Sequence, residues 1–327
     1  MLESGSKTGV LLSAQARYAA HTAAACGYTF RSLDGADGYL FEVSNGARRA
    51  TFAAGAGTPY ALNDASAASI ARDKAFCAEV LRRAGVPVLP GRVFFVTKRW
   101  ADMRSPGREP EDALAYAAEA KYPLFCKPLS ASNGLYAEVI ESAAAFANYM
   151  DRVAREHFAI LVQPYVRAPE HRVFVLNGRA LFSYAKTPAS VTGDGVSALD
   201  VLVRALPREA DAPLRSPRGR DADGRLLRAD DVAGAGAQIV LEGPANRAAG
   251  GGANGLRDGA PKAMADAAIA ATEAIGLSLA AVDLFDCDEG CVVIEVNSNP
   301  MIATLEDHGR WDLIETIWRA NFDAALR

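Results

Sequence analysis

Asp283, Glu295 and Asn297 stand near the ends of two apolar runs, LAAVDLF (residues 279–285) and CVVIEVN (residues 291–297). Five residues that include Gly290 separate the runs, the spacing of an antiparallel hairpin. A hairpin centred near Glu289 sets Asp283 opposite Glu295, and strand alternation puts Asn297 on the same face as Glu295. Two carboxylates facing across a ladder, with Cβ atoms roughly 4.5–5.5 Å apart, repel unless a positive charge lies between them. A cation would supply it, and oxygens without sulfur or imidazole suit a hard ion such as Mg²⁺ rather than zinc. Alternatively both acids project to solvent or pair with arginines. The hairpin alone leaves both readings open.

Two lysines add to this set. Lys74 opens a helix, and Lys127 ends a strand that runs into PLSASNGLY, a small-residue loop whose backbone N–H groups could cradle a phosphate. A lone lysine at a strand end is more often a surface residue. No Walker A sequence is present, so the chain is not a P-loop protein. The five cysteines form no CxxC pair and read as buried, reduced thiols, and the four scattered histidines suggest no zinc site. No recognisable motif pairs a nucleophilic Ser or Cys with a His.

The elements that must position these groups follow from periodicity and breakers. A helix is expected over 13–26 with short strands around it, among them 38–43. A second helix within 72–87 carries Phe76 and Val80, then Cys77, Leu81 and Ala84, on one face and stops at Gly85 and Pro87. Strands are expected at 91–96, 123–128 and 158–166, with a helix after Pro110, and a hairpin over 171–188 turns at Asn177-Gly178. Residues 188–258 read as loop-rich, and their arginine-rich part, 204–228, reads as a solvated surface. A helix from Pro261 ends at Gly276, and an amphipathic helix covers 311–325.

Composition sets the class. The 327 residues exceed one typical domain, and a hydrophobic content of 50%, inflated by alanine, indicates a globular chain with two or three sub-domains. A formal charge of −4 and the lack of a long basic run argue against nucleic-acid binding. No apolar run reaches the roughly 18 residues of a membrane span, and the N-terminus lacks the order of a signal peptide, so no membrane association and a cytoplasmic location are expected.

Seven motifs then occur in a set order: DK at 73–74, KPLSASNGL at 127–135, LVQPYV at 161–166, EHRVFVLNGR at 170–179, KTPASVTGDG at 186–195, NRAAGGGAN at 246–254, and AVDLF (281–285) with IEVNSNP (294–300). Over roughly residues 73–302 the chain resembles the ATP-grasp superfamily of carboxylate-amine ligases. Its motifs are most similar to those of cyanophycin synthetase and of the glutathione-synthetase half of bifunctional glutathione synthetases. The resemblance implies an α+β / α/β architecture, the ATP-grasp fold, with two α+β sub-domains (66–165 and 166–327) clamping ATP behind a small N-terminal α/β domain (1–65). Lys74, Lys127, Ser132, Asn133 and Gly134 would take the phosphates, Gln163, Tyr165 and Val166 the adenine, and Glu170 the ribose. Arg172 would sit on the transferring phosphoryl group, with Lys186 a second candidate that reads equally well as a solvent-facing hairpin lysine. Asn246 would bind the tetrahedral intermediate, and Arg247, Gly251 and Gly252 the acceptor substrate. Asp283, Glu295 and Asn297 would hold one or two Mg²⁺, with Mn²⁺ a substitute.

The implied reaction is activation of a carboxylate by ATP to an acyl phosphate, attack by an amine, and release of ADP and phosphate. It calls for small-molecule carboxylate and amine partners and is compatible with a homodimer. A non-catalytic nucleotide-binding protein and a small-molecule kinase are the alternatives. Three features depart from the pattern: Tyr136 stands where a second loop glycine is expected, Gln163 where an acid is frequent, and residues 1–65 are short for a substrate-binding domain.

Overall fold

The computed structural model describes residues 11–55, 57–131, 134–206, 217–245, 247 and 250–327. The chain starts with helix α1 (Ala14–Ala25), whose Ser13 cap accepts a hydrogen bond from the Ala16 N–H. An antiparallel sheet of β1 (Thr29–Ser32), β2 (Leu40–Ser44) and β3 (Arg49–Ala53) follows. Two helices come next, α2 (Ala65–Arg72) and α3 (Lys74–Arg83). Asp73 caps α3, accepting from the N–H groups of Ala75 and Phe76, so the Asp-Lys pair sets Lys74 at the first helical position. Cys77 and Leu81 are buried as expected. Phe76, expected beside them, is 64% exposed, because the buried stripe of α3 is narrower than the apolar pattern.

The central sheet, ordered β4-β7-β5-β6 and antiparallel throughout, combines β4 (Arg92–Phe95), β5 (Leu124–Pro128), β6 (Glu138–Ile140) and β7 (Ala159–Pro164). Helices α4 (Pro110–Glu119) and α5 (Ala143–Val153) cover it, with Phe94, Phe146, Tyr149 and Ile160 in its core.

The larger sheet begins with the hairpin β8 (Glu170–Leu176) and β9 (Arg179–Thr187). Its turn has positive φ at both Asn177 and Gly178, as that dipeptide demands. The region expected as loop instead folds a small sheet, ordered β10-β13-β11-β12, from β10 (Ser190–Thr192), β11 (Gly219–Arg220), β12 (Leu226–Leu227) and β13 (Gln238–Leu241), with α6 (Leu199–Arg204) against it. The chain then returns through β14 (Gly252–Asp258), α7 (Lys262–Ile275), β15 (Leu279–Cys287) and β16 (Gly290–Asn297), completing the order β14-β9-β8-β15-β16. Gly276, in the left-handed region, ends α7. Helices α8 (Ala303–Asp307) and α9 (Trp311–Ala325) close the chain.

Alternation along the larger sheet decides where the site lies. Val173, Val175, Ala280, Val282 and Leu284 face one way and pack with α7 and with buried residues of α2 and α3. The expected division at residue 66 groups α2 and α3 with the central sheet, yet their buried side chains lie here. On the other face, Phe174, Phe182, Tyr184 and Ala281 share a core with the N-terminal sheet and α9, where Trp318 meets Phe41, Phe52 and Tyr60. Further along that same face the apolar residues give way to charged ones. Among the described residues no helix is long and apolar enough to cross a membrane.

Candidate functional site

The β15–β16 turn is tighter than its sequence suggests. Cys287 pairs with Gly290, so an unbroken ladder would set Asp283 opposite Ile294 and turn Glu295 to the other face. A bulge after Asp283 shifts the register by one residue and brings Glu295 opposite Asp283. The neighbouring ladders then supply partners: Asp283 lies beside Arg172, and Glu170 beside Lys186. Arg172 holds Asp283 with two bonds, Nε to Oδ1 at 2.6 Å and a terminal nitrogen to Oδ2 at 2.8 Å. Lys186 Nζ reaches Asp283 Oδ2 at 3.1 Å and also pairs with Glu170. Asp283 therefore has the arginine partner that the hairpin left open, and a cation between the carboxylates is not needed to balance it. Glu295 faces Lys74 Nζ at 3.8 Å.

Burial would raise the Asp283 pKa, but Arg172 and Lys186 outweigh it and hold the carboxyl well below the usual range. Burial pushes Glu170 up, more than Lys186 offsets, and pushes Lys127 down despite Glu295 nearby. Lys127 is buried, and among the described residues it has no ion pair or hydrogen bond, only the Phe125 ring 5.9 Å from Nζ. Lys74 Nζ donates to the Ala131 carbonyl at 3.0 Å, tying α3 to the loop after Lys127.

These groups line a cleft of about 410 Å³ between the central sheet and β15–β16. Its lining includes Lys74, Lys127, Gly134, Gln163, Tyr165, Val166, Glu170, Lys186, Asp283 and Glu295, together with apolar Leu89, Phe125 and Phe285. Gln163 is buried; its Nε2 donates to the Leu89 carbonyl at 3.2 Å, and its equally buried Oε1 has no hydrogen-bond partner among the described residues. Tyr136, where the resemblance leads to a glycine, has a positive φ, at a cost of roughly 1–2 kcal/mol. Contacts hold it there: its hydroxyl donates to Glu156, its carbonyl accepts from Tyr149, and its ring meets His157 edge-on.

A second cavity of about 270 Å³ is lined by Arg172, Tyr184, Lys186, Arg247, Gly251, Gly252, Thr304, Asp307 and His308, among others. Lys186 and Ala245 line both spaces. The two glycines are there for close approach: a Cβ on Gly251 would meet the Ala245 carbonyl oxygen at 2.3 Å, and one on Gly252 would meet Thr187 Oγ1 at 2.7 Å.

Asn297, expected in the metal set, lines neither cavity, and its Oδ1 accepts the Asn299 N–H. Ser132, Asn133 and Asn246 lie outside the described residues. Among the described residues no group of three or more His, Cys, Asp or Glu side chains could hold a metal ion. The facing pair Asp283 and Glu295 still fits Mg²⁺ of the kind that takes one or two carboxylates and completes its shell with phosphate oxygens and water.

The arginine-rich segment is not merely a solvated surface. Glu242, after β13, joins Arg167, Arg218 and Arg220, and Arg218 is buried and also reaches Glu141 beyond β6. Arg220 and Glu242 line the cleft. Only the excess of arginine in that segment hinted at this.

Comparison with known proteins places this geometry. A family profile described as a RimK-like ATP-grasp domain matches residues 229–320. A solved bifunctional glutathione synthetase from Pasteurella multocida superposes with a TM-score of 0.50 at 21% identity, covering 93% of this chain and 44% of that one. The fold is that of the ATP-grasp proteins. Among curated ATP-grasp relatives, it is 30% identical to the glutathione biosynthesis bifunctional protein GshAB of Mannheimia succiniciproducens over 218 residues, 57% of this chain and 28% of that protein. It is 28% identical to the cyanophycin synthetase of Geminocystis herdmanii over 138 residues, 41% of this chain and 14% of that one. The chain thus spans less than a third of the length of either relative.

Proposed function

We propose that the chain is an ATP-dependent carboxylate-amine ligase that joins amino-acid-like substrates by an amide or peptide bond through an acyl phosphate, releasing ADP and phosphate. The observation that carries the reading is the meeting of two cavities at Lys186, with the Arg172–Asp283 pair in the wall between them. A nucleotide in the larger cleft and a carboxylate in the smaller would have their reacting ends at that junction. The similarity to GshAB and cyanophycin synthetase supports the same class.

The apolar walls of Leu89 and Phe125 suit the adenine ring, and Lys74 and Lys127 suit the phosphates. Glu170, which pairs with Lys186 through Oε1, would offer its other oxygen to a ribose hydroxyl. Asp283 and Glu295 would hold Mg²⁺, which when bound neutralises charge on the phosphate oxygens. Lys186 and Arg172 stabilise the charge that develops as a substrate carboxylate oxygen attacks the terminal phosphorus and ADP leaves. The amine then attacks the acyl carbon and phosphate departs. A non-catalytic nucleotide binder would have no use for the second cavity. The experiment is ADP release against a pairwise set of amino acids: it should require a carboxylate, an amine and Mg²⁺ together. ADP formed with a carboxylate or alcohol alone, as a stable phosphorylated product, would indicate a kinase.

A further inference from the structure

The charged cluster on the small sheet borders the larger cleft and has two halves of different strength. In the first, the Glu242 carboxylate is 6% exposed and pairs with Arg167, Arg218 and Arg220. Arg218 is buried, and its carbonyl also accepts the Glu242 N–H at 2.9 Å. A buried carboxylate shared among arginines is costly to break, because the charges left behind are desolvated. This half ties β11 and β13 to the connection between β7 and β8, and Arg167, Arg220 and Glu242 all line the cleft.

The second half reaches the opposite wall. Ala137, one residue before β6, lines the cleft there. Glu141 stands between the end of β6 and Ser142, the cap of α5, and pairs with Arg218 and, at 3.1 Å, with Arg228. Among the described residues, the ion pairs that join the central sheet and its helices to the small sheet both end on Glu141. Glu141 and Arg228 are 38% and 61% exposed, so their pairing is weak and screened by salt. Arg218 therefore has one durable partner and one that can be exchanged.

We propose that Glu141 and Arg218 are positioning residues for the nucleotide: with Arg228 they latch the small sheet to the central sheet, and the nucleotide enters and leaves when Glu141 lets go. The Glu242 cluster stays intact throughout. Opening strands no buried charge, since Arg218 keeps Glu242, and the wall that carries Arg220 and Glu242 moves as one unit. The inference rests on the larger cleft being the nucleotide site and adds how that site is held closed.

The test uses the full chain with Mg²⁺ and a fluorescent analogue of ADP, chased from the protein by excess ADP in a stopped flow. Glu141→Gln removes two weak pairs and should speed release by about three- to tenfold. Arg228→Gln should act in the same direction by less, and Glu141→Asp should recover part of the wild-type rate. Raising the salt from ~0.05 to ~0.5 M should narrow the gap between wild type and Glu141→Gln. The ligand-free chain should melt within about 2 °C of wild type in each variant, which separates a latch from a support of the fold. Unchanged or slower release in Glu141→Gln, a gap that salt leaves intact, or a destabilised ligand-free chain would each overturn the inference and leave nucleotide binding standing. Failure of wild type to bind either the analogue or ADP would remove the reading of the cleft itself.

Discussion

Asp283→Asn is expected to lower the unfolding free energy by about 3–5 kcal/mol, though it removes almost no volume. Asp283 is buried and accepts two bonds from Arg172 and one from Lys186. The amide can still accept from one of them, but it removes the negative charge that balances the half-buried Arg172 and the buried Lys186, and an uncompensated buried charge is what makes breaking such a pair costly. Urea unfolding with an unchanged m-value measures this directly. The pH dependence gives an independent check. Burial would raise the carboxyl pKa, and Arg172 and Lys186 instead hold it well below normal in the folded chain. Its contribution is therefore complete above the unfolded value of about 3.9 and is lost as pH falls from there through the folded value. Below about pH 4 the wild type should lose stability more steeply than Asp283→Asn, and the gap between them should narrow. A cost under about 1 kcal/mol would mean that the pair is not the internal bond described.

Lys127→Met should act in the opposite sense. Lys127 is a buried ammonium without a direct partner among the described residues, and burial lowers its pKa. Methionine keeps the length and removes the desolvated charge, so the ligand-free chain should be as stable as wild type or more so. Binding of ATP should weaken roughly 10- to 100-fold, the worth of a charge-assisted contact to phosphate. Adenosine, which would meet Leu89, Phe125 and Gln163 in the cleft instead, should bind within about twofold of wild type. Calorimetry on both ligands decides it. Equal losses for ATP and adenosine, or a destabilised free chain, would show that Lys127 acts through folding.

The two lysines and the two carboxylates differ in how legible they were. Lys74 was legible as a helix-opening lysine because the helix is local, and the Asp73 cap that fixes it there acts over three residues. The opposition of Asp283 to Glu295 was anticipated from a turn whose register is one residue off, and the bulge compensates. Bulges leave little trace in a period-two pattern, so the agreement owes something to chance. The partner of Asp283 was out of reach, since Arg172 lies 111 residues away and its ladder register follows from the whole sheet. The small sheet escaped because β11 and β12 have two residues each, too short for any period to show. The N-terminal segment was obscure for a different reason: its apolar residues complete a core with Trp318 and Phe322 of α9, so it has no independent pattern to read.

The central claim is that a substrate carboxylate attacks phosphorus at the junction held by Arg172, Lys186 and Asp283. The most direct measurement follows ¹⁸O from a doubly labelled carboxylate substrate through one round of amide formation. One labelled oxygen should appear in the phosphate released with ADP and the other should stay in the amide. Label in AMP, with pyrophosphate as the co-product, would show attack at the α-phosphorus and contradict the acyl-phosphate mechanism.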